Sequence, residues 1–243
     1  MKAVILAGGL GMRLMPFTQV LPKSLLPIGE SSVLETQILS LKKYGVKEIF
    51  IATNHMADYI QAFLGTGEKY GIPIRLSKES KPLGTCGPIN LLKGKLKEPF
   101  IVINGDILTT LDFAQVYKFA LNLDAELVVI TKEITPPFEF GKVVSDGNYI
   151  TDVHEKPNFK LEILSGIYII KPAVFDIIPE DTYYGMDSLI KDMLSKNMKV
   201  GKYLMREYWL DIGRTSDYGA ANDAYKEHFN RLKNKDVNDQ LYG

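Results

Sequence analysis

The chain has 243 residues, enough for one large α/β domain or a domain with a small appendage, and enough to bury a substantial core. Its 46% hydrophobic and 24% charged residues are ordinary for a soluble globular protein, and its 29 basic residues balance 29 acidic ones, so no overall field favours nucleic acid or an anionic membrane. The single cysteine, Cys86, excludes an internal disulfide and a cysteine-built zinc site; with no signal-peptide pattern and no membrane-length apolar stretch, a cytoplasmic enzyme is expected.

Residues 3–7 form an apolar run too short for a free-standing helix and without alternation, which predicts a strand covered on both faces. Gly8, Gly9 and Gly11 follow at once, then Arg13 and, after Pro16 and Pro22, Lys23. Glycines this close let the backbone turn sharply, and its N–H groups can converge on anionic oxygens. Arg13 adds a fork-shaped cation and Lys23 a compact one, so the parts together can cradle a triphosphate. Alone, Gly-Gly-x-Gly is weak and often only a tight turn. It matches neither the dinucleotide-binding G-x-G-x-x-G nor the P-loop pattern.

Farther along, Ser31 or Ser32 can cap a helix with Val33, Leu34, Ile38 and Leu41 at helical spacing, ended by Gly45. Strands are predicted at 48–53, 72–76 and 100–104, with helices at 58–64 and from near Gly84 or Thr85. Repeated βα units imply a mainly parallel sheet with right-handed crossovers and helices on both faces. Ligands gather beyond the carboxyl ends of such strands. Gly8 to Arg13, Glu79 and Asp106 all fall there.

Past Leu111 the pattern is mixed: a helix at 113–123, a strand at 126–130, and several short strands between Gly141 and Ile170 with an Asp146-Gly147-Asn148 turn. A helix at 187–194, a late strand at 203–212 and a final helix at 216–232 follow, with a polar tail at 233–243. His55, His154 and His228 are scattered, without ligand spacing, and read as structural.

The full string is far more specific than its parts. Leu6-Ala7-Gly8-Gly9-x-Gly-x-Arg-Leu-x-Pro-x-Thr, then Pro22-Lys23-Ser24-Leu25-Leu26-Pro27, resembles the signature of the sugar-phosphate nucleotidyltransferases, or NDP-sugar pyrophosphorylases. That family includes mannose-1-phosphate guanylyltransferase-like and glucose-1-phosphate thymidylyltransferase-like enzymes. Met12 stands where the family usually has Thr and cannot donate that hydroxyl hydrogen bond. Five separated motifs follow family order from Lys2 to about Tyr225. The resemblance implies a Rossmann-like, three-layer, GT-A-like α/β fold with a small sugar-binding lobe. It implies one domain over 1–232, with a nucleotide-binding half at 1–110, a sugar-phosphate-binding half at 111–215 and a C-terminal helix at 216–232.

By resemblance, Leu6, Ala7, Gly8, Gly9, Gly11 and Arg13 hold the nucleotide, Arg13 and Lys23 serve catalysis, and Asp106 with Asp211 of Trp209-Leu210-Asp211-Ile212-Gly213 hold Mg2+. Two carboxylates distant in sequence suit this hard cation. Without the resemblance each Asp reads as a turn or cap residue. Leu83-Gly84-Thr85-Cys86-Gly87 resembles the base-reading segment, which adds Glu79, Gly84 and Thr85 to the nucleotide set. A carboxylate at Glu79 only accepts hydrogen bonds and guanine offers two adjacent donors, so guanine is favoured over uracil or thymine. Glu155-Lys156-Pro157 resembles the sugar-phosphate element, and Gly141 and Gly166 fit the two glycines of the sugar pocket. Leu164-Ser165 precedes Gly166 where relatives carry Asn-Ala or similar, so a hydroxyl contact differs.

The reaction implied joins a nucleoside triphosphate, GTP favoured, to a mannose- or heptose-type sugar 1-phosphate with release of pyrophosphate. UTP, dTTP and CTP remain alternatives. Rivals of another class are a nucleotide-sugar-dependent glycosyltransferase and a non-catalytic nucleotide-sugar sensor. Neither nucleic acid nor membrane is an expected partner, and a homo-oligomer is left open.

Overall fold

The computed structural model describes residues 1–229 and Leu232; the tail expected at 233–243 lies outside the described residues. β1 (Lys2–Leu6) opens the chain, and three single 3-10 turns at Met12–Leu14, Phe17–Gln19 and Lys23–Leu25 lead to a minimal hairpin of β2 (Pro27–Ile28) and β3 (Ser31–Ser32). α1 (Val33–Lys43) starts at Ser32, whose hydroxyl accepts from the Glu35 amide at 3.1 Å while the Glu35 carboxylate accepts from the Ser32 amide at 3.1 Å. This reciprocal cap satisfies two amides that an open helix end leaves without partners.

There follow β4 (Glu48–Thr53), α2 (Ala57–Leu64), β5 (Ile74–Lys78), a four-residue α3 (Gly87–Asn90), β6 (Phe100–Asn104), β7 (Ile107–Thr109) and α4 (Phe113–Asn122). Then come β8 (Leu127–Ile134), β9 (Lys142–Asp146), β10 (Tyr149–His154), β11 (Leu161–Ile170), α5 (Met186–Ser195), β12 (Val200–Met205), β13 (Trp209–Asp211) and α6 (Thr215–Ala224), which continues as a π turn at Tyr225–Phe229.

Seven strands form one sheet in the order β12-β8-β11-β6-β1-β4-β5. Only β11 runs antiparallel to its neighbours, so the expected mainly parallel sheet is present. Alternate residues divide the core. Ala3, Ile5, Ile49, Ile51, Ile101 and Ile103 face α1, α2 and α4, whereas Val4, Phe50, Phe100, Val102, Tyr168 and Ile170 face α3 and α5. Covered on both faces, β1, β4 and β6 are apolar through their middle residues and polar only at their ends, which is why their sequence shows no alternation. A third cluster of Leu14, Leu26, Ile28, Val33, Leu108, Ile212, Ala221, Tyr225 and Phe229 binds the loops after β1 to α6.

Some boundaries differ from the sequence expectation. The helix expected from Gly84 or Thr85 begins only at Gly87, because Gly84 has φ +82 and a Cβ there would stand 2.7 Å from the Tyr184 carbonyl oxygen. The single strand expected at 203–212 is two, β12 in the main sheet and β13 paired with β7. Sequence periodicity missed β7 altogether, since three residues are too few to show a pattern. β9 and β10 pair as a hairpin around Gly147 (φ +54), and residues 137–156 are exposed throughout. Among the described residues no helix is long and apolar enough to cross a membrane.

Candidate active site

The strand register sets the site. Leu6 is level with Ala52 of β4 and Asn104 of β6, so the segments leaving these strands rise side by side. Backbone bonds carry the alignment past the strand ends: Ala7 to Ala52 at 2.7 Å, Gly105 to Leu6 at 2.9 Å and Glu79 to Thr53 at 2.9 Å, each from amide to carbonyl. β1 lies between β4 and β6, where connections depart in opposite directions and a crevice opens.

In that crevice lies a cavity of about 420 Å³. Its wall brings together Leu6, Gly8, Gly9, Glu79, Gly84, Thr85 and Asp106 of the expected set. It also includes Leu10, Asn54, Leu83, Asn104 and Tyr183, which the sequence did not single out. A smaller adjoining cavity of about 80 Å³ is walled by Leu6, Ala7, Gly9, Lys23, Ser24, Gly105 and Asp106. Gly11 (φ +62) lines neither; a Cβ there would lie 2.7 Å from a Thr18 methyl and 3.2 Å from the Lys23 Cβ, so it shapes the loop rather than the wall.

Glu79 is only 7% exposed, and its Oε2 accepts from the Leu83 amide at 3.0 Å. Burial pushes its carboxyl above the ordinary range, opposed by that one hydrogen bond. Its Oε1 lies 2.8 Å from where a Gly8 Cβ would stand, so a side chain at position 8 would have to displace this carboxylate. Gly84 and Thr85 line the wall but are held from behind. The Tyr184 carbonyl accepts from the Cys86 and Gly87 amides, and the Thr85 hydroxyl accepts from the Met186 amide at 2.9 Å. Cys86 is fully buried, and its thiol is pushed up to about 12 by burial.

At the opposite end Lys23 Nζ forms a short ion pair with Asp106 Oδ2. Antiparallel pairing sets Asp211 opposite Ile107, and the Ile212 amide donates to the Asp106 carbonyl at 3.0 Å. Asp106 Oδ1 and Asp211 Oδ1 are both buried without a hydrogen-bond partner. Burial, then the nearby Asp106 charge, raises the Asp211 carboxyl above its ordinary range against the pull of Lys23 and Arg13. Two buried oxygen acceptors without donors are a donor set suited to a hard divalent cation. Among the described residues no cluster of three or more His, Cys, Asp or Glu completes a cage, so further ligands would be phosphate oxygens and water.

Arg13 joins this end. Its Nη2 is 3.4 Å from the place a Gly213 Cβ would occupy, and Asp211 Oδ1 is 3.5 Å from the same place. Asp217, not Asp211, caps α6, accepting from the Gly213 and Arg214 amides at 3.1 and 2.7 Å. Met12 is exposed on the neighbouring turn.

The expected sugar-phosphate residues are less closely gathered. A Cβ on Gly141 would lie 3.3 Å from Glu155 Oε2, so those two adjoin on the hairpin lobe, and Lys156 pairs with Glu139 at 3.2 Å. None of the three lines either cavity. Gly166 (φ +76) also lines neither cavity but adjoins the wall residue Asn104, whose amide nitrogen would lie 2.6 Å from a Cβ there. The Ser165 hydroxyl turns away and donates to the Ile130 carbonyl at 2.8 Å, while the Ser165 carbonyl accepts from the Trp209 indole at 2.8 Å. The histidines lie outside the crevice: His154 meets Asp152 at 3.2 Å, and the His228 ring lies tilted against Tyr208 at 4.7 Å between centroids.

A glycine-lined crevice with a buried carboxylate at one end and two cations beside a carboxylate pair at the other has the chemistry to receive an anionic, hydrogen-bonding ligand. The family model described as Nucleotidyl transferase matches residues 2–228, and the chain belongs to that family. It is 34% identical over 227 residues to a probable mannose-1-phosphate guanylyltransferase of Oryza sativa subsp. japonica, covering 90% of this chain and 63% of the relative. The catalytic subunit beta of a Xenopus tropicalis mannose-1-phosphate guanylyltransferase is 33% identical, with 90% and 62% covered. The chain thus spans under two thirds of these relatives. Among solved structures, one from Bacillus anthracis named as a glucose-1-phosphate thymidylyltransferase superposes with a TM-score of 0.75 at 26% identity, covering 91% and 94% of the two chains. HddC from Yersinia pseudotuberculosis complexed with GMP-PN superposes at 0.72 with 27% identity, covering 92% and 99%.

Proposed function

We propose that the chain is a sugar-1-phosphate nucleotidyltransferase that uses GTP and a mannose- or heptose-type sugar 1-phosphate. The observation that carries this reading is one cavity with Glu79 and Asp106 both in its wall, an arrangement that suits a nucleobase at one end and phosphates at the other. The guanylyltransferase names of the relatives and the GMP-PN complex of one structural neighbour support guanine. So does the chemistry of Glu79: an ionised carboxylate accepts both donors on the N1 and N2 edge of guanine, while uracil or thymine opposes a lone pair to one of its oxygens.

In the reaction an oxygen of the sugar 1-phosphate forms a new bond to the α-phosphorus of the triphosphate, and the bond from that phosphorus to the β-phosphate bridging oxygen breaks. Pyrophosphate leaves with the electron pair. The attacking phosphate is already ionised at neutral pH, so the work of the protein is positioning and charge neutralisation. Gly8 and Gly9 let main-chain N–H groups approach the triphosphate. Arg13 and Lys23 offset its charge and that of the departing pyrophosphate, and Lys156 draws in the sugar phosphate from the lobe. Asp106 and Asp211 would hold a divalent ion, Mg2+ by our reading, which neutralises phosphate charge when bound.

A pyrophosphate-release screen of GTP, dTTP, UTP and CTP against a panel of sugar 1-phosphates tests this. GTP with mannose 1-phosphate or a heptose 1-phosphate is expected to lead. Exclusive use of dTTP or UTP would overturn the role given to Glu79. Binding of GDP-mannose with no pyrophosphate from any pair would point to a glycosyltransferase or a sensor.

A further inference from the structure

α1 docks through Leu34, Ile38 and Leu41, all fully buried, yet the same helix buries the amide of Gln37 to 4% exposure. Gln37 Nε2 donates to the Asn104 carbonyl at 2.8 Å and to the Ile107 carbonyl at 2.7 Å. These carbonyls flank Gly105 and Asp106, so both hydrogens of one amide are spent on the two shoulders of a single turn. The reverse orientation would set an amide oxygen against two carbonyl oxygens, which fixes the nitrogen where it is. From the other side Gly105 donates to the Leu6 carbonyl at 2.9 Å, and a Cβ on Gly105 would lie 2.8 Å from that oxygen. The turn that presents Asp106 is therefore gripped between β1 and α1.

We propose that Gln37 is a positioning residue for Asp106. By holding the backbone on both sides of the carboxylate it fixes where Asp106 Oδ1 stands relative to Asp211, and so sets the affinity of the pair for a divalent ion. Helix docking alone does not call for it, because the apolar residues of α1 already provide that. The inference rests on reading Asp106 and Asp211 as the ion-holding pair.

The test compares Gln37→Met, which keeps length and helix propensity but donates nothing, with Thr36→Val. Thr36 is 3% exposed, and its hydroxyl donates to the Ser32 carbonyl at 2.9 Å, away from the turn. Mn2+ binding to each enzyme saturated with GTP is followed by electron paramagnetic resonance, alongside kcat, KM for GTP and thermal unfolding. Gln37→Met is expected to weaken Mn2+ binding and lower kcat, each by about tenfold or more, as loss of an outer-shell partner does. KM for GTP should stay within about twofold, since the amide lies outside the wall of the larger cavity. Thr36→Val should lose thermal stability with Mn2+ binding unchanged. Equal Mn2+ affinity in folded Gln37→Met and wild type, or the same loss in Thr36→Val, would overturn the proposal. Should Gln37→Met not fold, Gln37→Leu repeats the test with a more compact apolar side chain that likewise donates nothing. If Asp211→Asn leaves Mn2+ binding intact, the ion-pair reading itself fails; if it abolishes binding while the Gln37 variants do not weaken it, only the role of Gln37 falls.

Discussion

The amide of Ile212 donates to the carbonyl of Asp106 at 3.0 Å, and this one bond carries the three-residue ladder between β7 and β13 up to the two carboxylates. Residues separated by about half the chain are thereby brought to one place by backbone, with no side chain needed to hold them together. The arrangement carries repulsion: two half-buried carboxylates lie near each other, with Lys23 paired to one of them.

Asp211→Asn should therefore stabilise the ion-free protein while abolishing turnover. Because the folded state raises the Asp211 carboxyl above its ordinary value, folding favours the protonated form. Stability is then lost as pH rises from the unfolded value through the raised native one. Removing the charge should raise Tm at neutral pH by about 2–4 °C, the shift that about 1 kcal/mol makes in a domain of this size. Added Mg2+ should raise Tm in wild type and not in the variant. Calorimetry with and without the ion reads both.

Glu79 gives a pH signature of a different kind. Burial raises its carboxyl, so it protonates at a pH where an exposed glutamate is still ionised, and a protonated acid no longer accepts at both oxygens. KM for GTP should climb as pH falls through that raised value. Glu79→Gln should flatten this acid limb and raise KM at neutral pH by about 10- to 100-fold, the cost of leaving donors unpaired in a closed site.

Lys23→Met separates binding from turnover. Lys23 occupies one oxygen of Asp106 in the free protein, so removing it should tighten Mn2+ binding in the absence of nucleotide. The same change removes a cation from the pyrophosphate end and should lower kcat by about 10²- to 10³-fold, as loss of one transition-state donor does. Weaker Mn2+ binding in the variant would show that the lysine helps to build the ion site rather than competing for it.

Tyr183 lies in the cavity wall although 73% of it faces solvent. If the cavity takes the nucleoside as proposed, a ring at its mouth can stack on the base, a contact worth about 1–3 kcal/mol. Tyr183→Ala should raise KM for GTP by about tenfold with kcat nearly unchanged. Tyr183→Phe should restore it, because the stacking face is retained. Steady-state kinetics on the three proteins decides.

Much of this site is legible in the chain because its parts follow apolar strands directly. Gly8, Glu79 and Asp106 are placed by strand ends alone, and register does the rest. Tyr183 and Gln37 are not legible in that way. Tyr183 arrives on a segment that returns from the far side of the sheet, and Gln37 looks like a surface residue of an amphipathic helix until the turn beneath it is known. The division of 203–212 into two strands is hidden in the sequence for a related reason. Its second half pairs with β7, a partner too short to leave a periodic trace. The hairpin was announced by Asp146-Gly147-Asn148, but hydrogen bonding along a hairpin does not tell where its lobe meets a ligand.

Gly8 and Glu79 leave one consequence. Because the carboxylate oxygen fills the space a side chain at position 8 would need, the loop given to the phosphates and the group given to the base are two walls of one joint. A chain that redesigned its loop would have to renegotiate its alphabet at the same time, so grip and letter choice in this protein should change together or not at all.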